Sequence, residues 1–195
     1  MRRLLALLLV IPVLAGCGAV ATTPLPTAHA ASPQRADLAW IEGIGDHTER
    51  IVFGIRSFEV TKDGWRAEIS VENDTDVPLA VGIPGVFGSL QFGLMLFSTG
   101  AHSELEMRNA NRSLPTTRVA EKYDPALAAQ LGSHETWTGT ISAGGPVAAG
   151  TWARIVFGIL FPSKTPALPD ALSKANVSNG LVWITDHAYE LKLRN

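Results

Sequence analysis

The sequence predicts an all-β fold, an antiparallel β-sandwich with one short helical insert. From residue 49 onward, apolar and polar residues alternate with a period of two, as in strands that bury one face. β-Branched and aromatic residues cluster in short segments, and turn signals separate those segments. The chain of 195 residues contains 18 glycines and 12 prolines, which supply many of these turns. Short strands between such turns favour a sandwich over an α/β arrangement.

The first predicted hairpin spans residues 49–72. In its first strand the apolar residues change parity between Ile55 and Phe58, which indicates a β-bulge. A Lys-Asp-Gly turn at 62–64 leads into the second strand, 65–72, in which apolar and polar residues alternate strictly. This strand is therefore expected to bury one face only.

A loop is predicted at 73–78, because Asn and Asp side chains bond their own backbone and Pro78 closes the turn. The carboxylates of this loop are also ligands that calcium prefers. No EF-hand spacing accompanies them, so a plain turn is the favoured interpretation. Apolar strands are expected at 79–83 and 91–98.

A short helix is predicted at 124–131. Asp124 is a suitable N-cap, Pro125 suits the first helical position, and Gly132 follows the end. The segment 98–118 is polar and shows no clear period.

The last third of the chain predicts three more strands, at 135–142, 152–161 and 181–193. The second of them is apolar on nearly both faces, as expected of a strand at the centre of a sheet. The hexapeptide Arg-Ile-Val-Phe-Gly-Ile occurs twice, at 50–55 and 154–159. The flanking residues differ, so we interpret it as two strands under similar packing demands rather than a duplication.

Two segments carry a family resemblance. VENDTDVPL at 71–79 and ETWTGTI at 135–141 resemble the immunoglobulin-like domains of secreted bacterial lipoproteins, in which an Asn-containing turn with Pro follows the second strand and a Thr-rich strand precedes the penultimate one. The resemblance covers roughly residues 45–193. It implies an immunoglobulin-like sandwich, and it implies no particular activity.

The N-terminus has the layout of a secretory signal. Arg2 and Arg3 precede the run 4–14, which is apolar apart from Pro12 and about half as long as a bilayer span. The following Leu-Ala-Gly-Cys resembles the lipobox of bacterial lipoproteins, which implies cleavage after residue 16 and diacylation of Cys17. Cys17 is the only cysteine, and lipidation explains an unpaired thiol in an exported protein. The alternative is an ordinary signal peptide that is cut a few residues later, near Ala19 or Ala21.

Three parts of the chain follow from this layout. Residues 1–16 are the expected lipoprotein signal peptide, residues 17–37 the lipidated cysteine and a flexible linker rich in Ala, Thr, Pro and Ser, and residues 38–195 the sandwich domain. The predicted location is the cell membrane, with the domain anchored on its extracytoplasmic face. The Ala-rich linker and the Leu-Ala-Gly-Cys box resemble those of actinobacterial lipoproteins.

The charge balance argues against nucleic acid as a partner. Lys and Arg number 16 and Asp and Glu 18, a formal charge of -2, which leaves no broad basic surface. Loss of the signal peptide removes Arg2 and Arg3 and no acidic residue, so the mature chain is more acidic still.

The sequence predicts no catalytic residue, no cofactor and no metal site. It contains no Gly-x-Ser-x-Gly elbow, no P-loop, no His-Glu-x-x-His pair and no cysteine pair. His47, His134 and His187 each adjoin an acidic residue, but neighbours on a strand point to opposite faces, so any acid–His pair must form between segments. We expect an exposed His134 and a partly buried, hydrogen-bonded His187.

The segment 77–101 contains no charged residue. Its glycines and prolines argue against a membrane span. It is interpreted as two buried strands joined by a Gly-rich loop. Within it we also propose an exposed apolar contact loop, formed by Ile83, Val86, Phe87 and Leu90, that touches the bilayer, a protein partner or an apolar ligand.

Three function classes follow. The leading hypothesis is a membrane-anchored binding or envelope-accessory module without catalytic activity. The alternative is a carrier of an apolar ligand, held in a sandwich cavity lined by residues such as Phe92, Met95 and Phe157. A hydrolase with an unrecognised site is the third class, and it requires a His, a carboxylate and a hydroxyl that converge in a cleft.

Overall fold

The computed structural model describes residues 29–47, 49–82, 91–162, 166–174, 180–187 and 191–195. Two antiparallel sheets pack face to face, which confirms the predicted all-β sandwich. The strands are Gln34–Gly45 (β1), Arg50–Val60 (β2), Gly64–Asp74 (β3), Leu79–Val81 (β4), Gly93–Phe97 (β5), Arg118–Val119 (β6), Lys122–Asp124 (β7), Gln130–Leu131 (β8), Glu135–Gly144 (β9), Trp152–Pro162 (β10) and Leu181–Ile184 (β11). The helices are His102–Ala110 (α1) and Asp170–Lys174 (α2).

The first sheet has the order β1-β2-β3-β9-β7. The hairpin β2–β3 and its turn at 62–64 are as predicted, and the register of the pair shifts between Ile55 and Ser57. This shift confirms the bulge, which returns Phe58 to the buried face after Ile55. Strand β9 pairs along its whole length with β3, from Glu135 opposite Asn73 to Gly144 opposite Gly64.

The second sheet is built around β10. Strand β5 pairs with its first half and β4 with its second half, so the two lie end to end along one edge, and β11 pairs with the opposite edge. Residues 153–158 are all buried, which confirms the expectation of a central strand covered on both faces.

The repeated hexapeptide contributes one strand to each sheet, β2 and β10. Phe53 and Phe157 hold the same position in the two copies, and their rings contact across the core at 5.0 Å between centroids. Ile51 and Ile155 are likewise both buried. The repeat therefore reflects similar packing demands on the two strands that face each other.

The strand order differs from that of an immunoglobulin domain. There, the strand after the first hairpin crosses to the other sheet, whereas β1, β2 and β3 follow one another within a single sheet. The fold is therefore an antiparallel β-sandwich.

The helix predicted at 124–131 is wrong. Residues 122–124 pair with β9 as β7, and residues 130–131 pair with β4 as β8, so both ends of the segment are held in sheets. The helical insert is α1 instead, in the segment that showed no period. Only Leu105 of α1 joins the apolar cluster beneath it, which explains why the helical period is weak in the sequence. None of the helices among the described residues is long and apolar enough to cross a bilayer.

The sandwich begins earlier than the predicted boundary at residue 38. Strand β1 starts at Gln34, and before it the backbone N–H of Ala31 donates to the carbonyl of Val147 at 2.7 Å. Inward residues of β1 are Leu38, Trp40 and Ile44, so the strand has a period of two. The first strand predicted from the sequence begins only at residue 49.

Candidate functional site

The two sites predicted from the sequence, Cys17 and the loop of Ile83, Val86, Phe87 and Leu90, lie outside the residues that the structure describes. Lipidation of Cys17 and an apolar contact by this loop therefore stay predictions. The described residues offer two further features, one at each edge of the sandwich.

The cavity proposed for the carrier hypothesis is not formed as expected. Phe92 and Phe157 lie in the main core, with ring centroids 6.1 Å apart. Met95 belongs to a separate cluster with Phe97 and Val156, on the other face of the sheet, where α1 and Leu114 cover it. Because side chains alternate along a strand, Met95 cannot line a space that its neighbour Leu94 faces.

An apolar cleft does open between the sheets at another place. It has a volume of about 270 Å³ and lies where edge strand β7 of the first sheet faces the junction of β4 and β5. The ring of Phe92 meets that of Tyr123 edge to face at 6.1 Å, and burial raises the pKa of the Tyr123 phenol to about 12. The lining consists of Val81, Gly82, Gln91, Phe92, Tyr123, Leu127, Ala128, Ala129 and Gly158.

A group of polar side chains, named here the polar seam, lies at the opposite edge, between β1 and β11. It consists of Glu42, His102, Arg154, Asp186 and His187. The Glu42 side chain, only 10% exposed, points inward and accepts hydrogen bonds from Trp183 Nε1 at 2.7 Å and from the Asp186 backbone N–H at 2.9 Å. Its Oε1 also lies 2.5 Å from His187 Nδ1, and the His187 ring stacks on Trp40. The prediction of a partly buried, hydrogen-bonded His187 is confirmed.

Arg154 of β10 belongs to the same polar seam. Its side chain is fully buried, and Nη1 donates to the Thr185 carbonyl at 2.6 Å and to Asp186 at 3.1 Å. Nη2 donates to the carbonyls of Gly100 and Ala101 at 3.3 and 3.1 Å. A single guanidinium thus holds the start of α1 against the end of β11.

The outermost member of the seam is His102 on α1. Its Nδ1 lies 2.7 Å from Asp186 and its Nε2 lies 3.0 Å from Glu106. The hydrogen bond with Asp186, followed by that with Glu106, raises the pKa of His102. Desolvation acts upward on the pKa of Asp186, but the hydrogen bonds from His102 and Arg154 outweigh it and lower that pKa.

His134 is exposed, as predicted, but it lies in the turn before β9 rather than on the strand. Its Nδ1 and Nε2 meet Asp74 at 3.3 Å and Asp76 at 2.9 Å. The loop 73–78 is a turn held by Asn73, whose amide donates to the carbonyls of Val77 and Gly132 at 2.9 and 2.8 Å. Among the described residues, no group of three or more His, Cys, Asp or Glu side chains could hold a metal ion.

The contacts of the polar seam hold elements of the fold together. Glu42 and His187 form the kind of inter-segment acid–His pair that the sequence allowed. Thr185 directly follows β11, and its hydroxyl accepts a hydrogen bond from the Ile155 backbone N–H at 3.0 Å. This bond helps to hold the end of β11 against β10. The seam therefore joins the two sheets at one edge.

No family model, curated protein or solved structure matches this chain. The fold and the sites described above therefore rest on the chain's own residues.

Sequence reasoning missed most of the polar seam. Glu42 lies in β1, a strand that was not predicted from the sequence, and His102 lies in a segment without a period. Arg154 carried a usable signal, because a charged residue within a doubly buried strand must find partners.

Proposed function

We propose that this protein is a lipoprotein, anchored through acylated Cys17 on the extracytoplasmic face of the cell membrane, whose sandwich is a non-catalytic binding or envelope-accessory module. The observation that carries the proposal is the N-terminal sequence: two arginines, a short apolar run and the Leu-Ala-Gly-Cys box, which ends at the only cysteine.

The physical basis of the anchor is acyl-chain burial. Each buried methylene contributes about 0.8 kcal/mol, and a single chain holds a protein to a bilayer only marginally. Two chains on Cys17 make a durable anchor. The domain can then present loops to a partner from a fixed place beside the membrane.

A bacterial host that expresses the full chain with labelled palmitate tests the anchor. Wild type should incorporate label and sediment with membranes, and Cys17→Ser should lose both properties. Gly18→Ser leaves the four-residue box intact and should behave as wild type. Equal labelling of wild type and Cys17→Ser would overturn the proposal.

The contact loop is the part of the module proposed to touch a bilayer, partner or ligand. Replacing Val86 and Phe87 by Ser should leave the thermal transition unchanged and weaken binding to vesicles or to captured partners. A large loss of stability would instead assign these side chains to the core.

A second candidate function, carriage of an apolar ligand, is favoured by the apolar cleft. Its volume of about 270 Å³ lies just below the usual range for ligand pockets, and it suits one short alkyl chain. Ala128→Trp should fill the cleft at an exposed position and abolish displacement of a fluorescent fatty acid. Ala126→Trp, outside the lining residues, is the matched control. Equal binding by both variants would exclude this cleft as the carrier site.

A further inference from the structure

The strand registers define two ends of the sandwich. Gln34 pairs with Val60 and Gly64 with Gly144, which gathers residues 29–34, 60–64, 144–152 and 192–195 at one end, named here the tether end. Gly45 pairs with Arg50 and Asn73 with Glu135, which gathers residues 45–47, 49–50, 72–79 and 132–135 at the other, the far end.

The chain enters the sandwich at the tether end. The Ala149 backbone N–H donates to the His29 carbonyl at 2.8 Å, and the Ser32 N–H donates to the Arg194 carbonyl at 3.1 Å. The twelve residues 17–28 therefore leave from this end, and they can span at most about 40 Å when fully extended. A lipid on Cys17 keeps the tether end within that reach of the bilayer.

The two ends differ in charge among the described residues. At the tether end, Arg35 and Arg66 pair with Asp37 and Glu59 at 2.9 and 2.6 Å, which cancels their charges locally. The other acidic side chains at this end are those of Asp63 and Glu121. They are outnumbered by the other basic side chains, which are those of Lys62, Arg118, Lys122, Lys192 and Arg194.

The far end has the opposite sign. Its basic groups are His47, Arg50, which lies 3.8 Å from Asp74, and His134, which lies between Asp74 and Asp76. Its acidic side chains are Asp46, Glu49, Glu72, Asp74, Asp76 and Glu135. The molecule therefore has a dipole that runs along the strands.

We propose that the tether end docks on anionic lipid headgroups, so that the sandwich stands on the membrane with its acidic far end outward. The proposal rests on the anchor proposed above. Each basic side chain close to an anionic bilayer raises the affinity by about fivefold. An excess of three positive side-chain charges would therefore bind an untethered protein to the bilayer only weakly. The tether converts docking into an intramolecular step at high effective concentration, so this attraction is sufficient to set the orientation.

The test measures the height of each end above a bilayer. Full-length acylated protein carries a dye at Ser133→Cys on the far end or at Thr61→Cys on the tether end, and energy transfer is recorded to acceptors on the vesicle surface. On vesicles with phosphatidylglycerol, transfer should fall for the far-end dye and rise for the tether-end dye, relative to phosphatidylcholine alone. The two dyes should differ in height by roughly 35 Å, the length of an eleven-residue strand, and high salt should remove the effect.

Charge-reversal variants identify the surface. Lys62→Glu with Lys122→Glu should abolish the lipid dependence, whereas Arg50→Glu with Arg56→Glu, an equal change of net charge away from the tether end, should retain it. Equal heights on both vesicle types, or equal effects of the two double variants, would overturn the proposal while the protein stays anchored. Failure to bind either vesicle type would instead overturn the anchor, and the docking with it.

Discussion

Arg154 and Arg50 hold the same position in the repeated hexapeptide, and their surroundings differ completely. The Arg154 side chain is fully buried and donates four hydrogen bonds, and its guanidinium lies 5.1 Å from the Phe97 ring centroid. The Arg50 side chain is 49% exposed and lies 3.8 Å from Asp74. One sequence motif therefore gives a structural arginine in one sheet and a surface arginine in the other.

This pair provides a matched test. Arg154→Ala removes the side-chain donor to the buried carbonyls of Thr185 and Gly100, so it should lower the free energy of unfolding by about 3–5 kcal/mol. Arg50→Ala should lower it by no more than about 0.5 kcal/mol. Urea denaturation followed by tryptophan fluorescence measures both. Similar values for the two variants would contradict the role assigned to Arg154.

Glu104 is the second residue that the local sequence did not reveal. Its side chain is 8% exposed and accepts hydrogen bonds from Ser98 and Thr99, and from Arg108 at 2.8 Å. Desolvation acts to raise its pKa, but these hydrogen bonds outweigh it and lower the pKa from 4.5 to about 2. The helix α1 places the Glu104 side chain inside and the Glu106 side chain in solvent.

The depressed pKa predicts an acid-dependent contribution to stability. A carboxylate with a folded pKa below its unfolded value stabilises the fold above about pH 4.5, and the contribution disappears as the pH falls towards 2. Glu104→Gln should remove roughly 3 kcal/mol near neutral pH and flatten the stability profile over that window. Glu106→Gln, on the exposed face of α1, should keep the slope. Parallel profiles for Glu104→Gln and wild type would contradict the assignment.

His134 joins two loops of the far end. Asp76 raises its pKa through a hydrogen bond, and Asp74 adds a second. A histidine with a raised folded pKa stabilises the fold fully below its unfolded pKa of 6.5, and this contribution is lost as the pH rises through the folded value.

An NMR titration of the imidazole checks this contact. The pKa of His134 should lie above 6.5 in the wild type and fall towards that value in Asp76→Asn. Asp63→Asn, at the tether end, should leave it unchanged. A pKa that does not respond to Asp76→Asn would show that the contact is absent in solution.

The elements that the sequence predicted are those with local signals. Strict alternation, a Lys-Asp-Gly turn and a change of parity were sufficient for β2, β3, β9 and the bulge. Strand β1 was missed because Gly43 and Gly45 occupy outward positions and the inward Glu42 interrupts an apolar face. The helix expected at 124–131 had suitable end signals, but pairing of both ends with distant strands overrides local preference.

The candidate sites follow the same division. His187 could be predicted as partly buried because it shares parity with Trp183, but its partner Glu42 lies 145 residues away in the chain. The partners of Arg154 come from the start of α1 and the end of β11. Contacts of this range arise from the packing of the two sheets, and no local pattern encodes them.

The two edges of the sandwich are closed differently. The polar seam joins β1 to β11, and the apolar cleft opens beside β7. Between them, aromatic rings in stacked, tilted and edge-to-face contact cross the core from Trp183 through Phe53, Phe157, Phe92 and Tyr123 to Trp137. With one cysteine, the chain cannot form an internal disulfide, so this packing must supply the stability of the sandwich.

The two ends of the sandwich differ in charge and in their connection to the N-terminal segment. The tether end carries the entry of the chain and an excess of basic groups, and the far end carries acidic loops. Lipid attachment at Cys17 and docking of the tether end would act together, the first by holding the protein at the bilayer and the second by orienting it.

The lipid anchor can be checked on the mass of the intact protein, extracted with detergent from membranes of a bacterial host. We expect a chain that begins at Cys17 and carries the added mass of a diacylglyceryl group, with or without a third acyl chain. A chain that begins at Met1, or one with an unmodified thiol at Cys17, would contradict the lipid anchor and the function proposed on it.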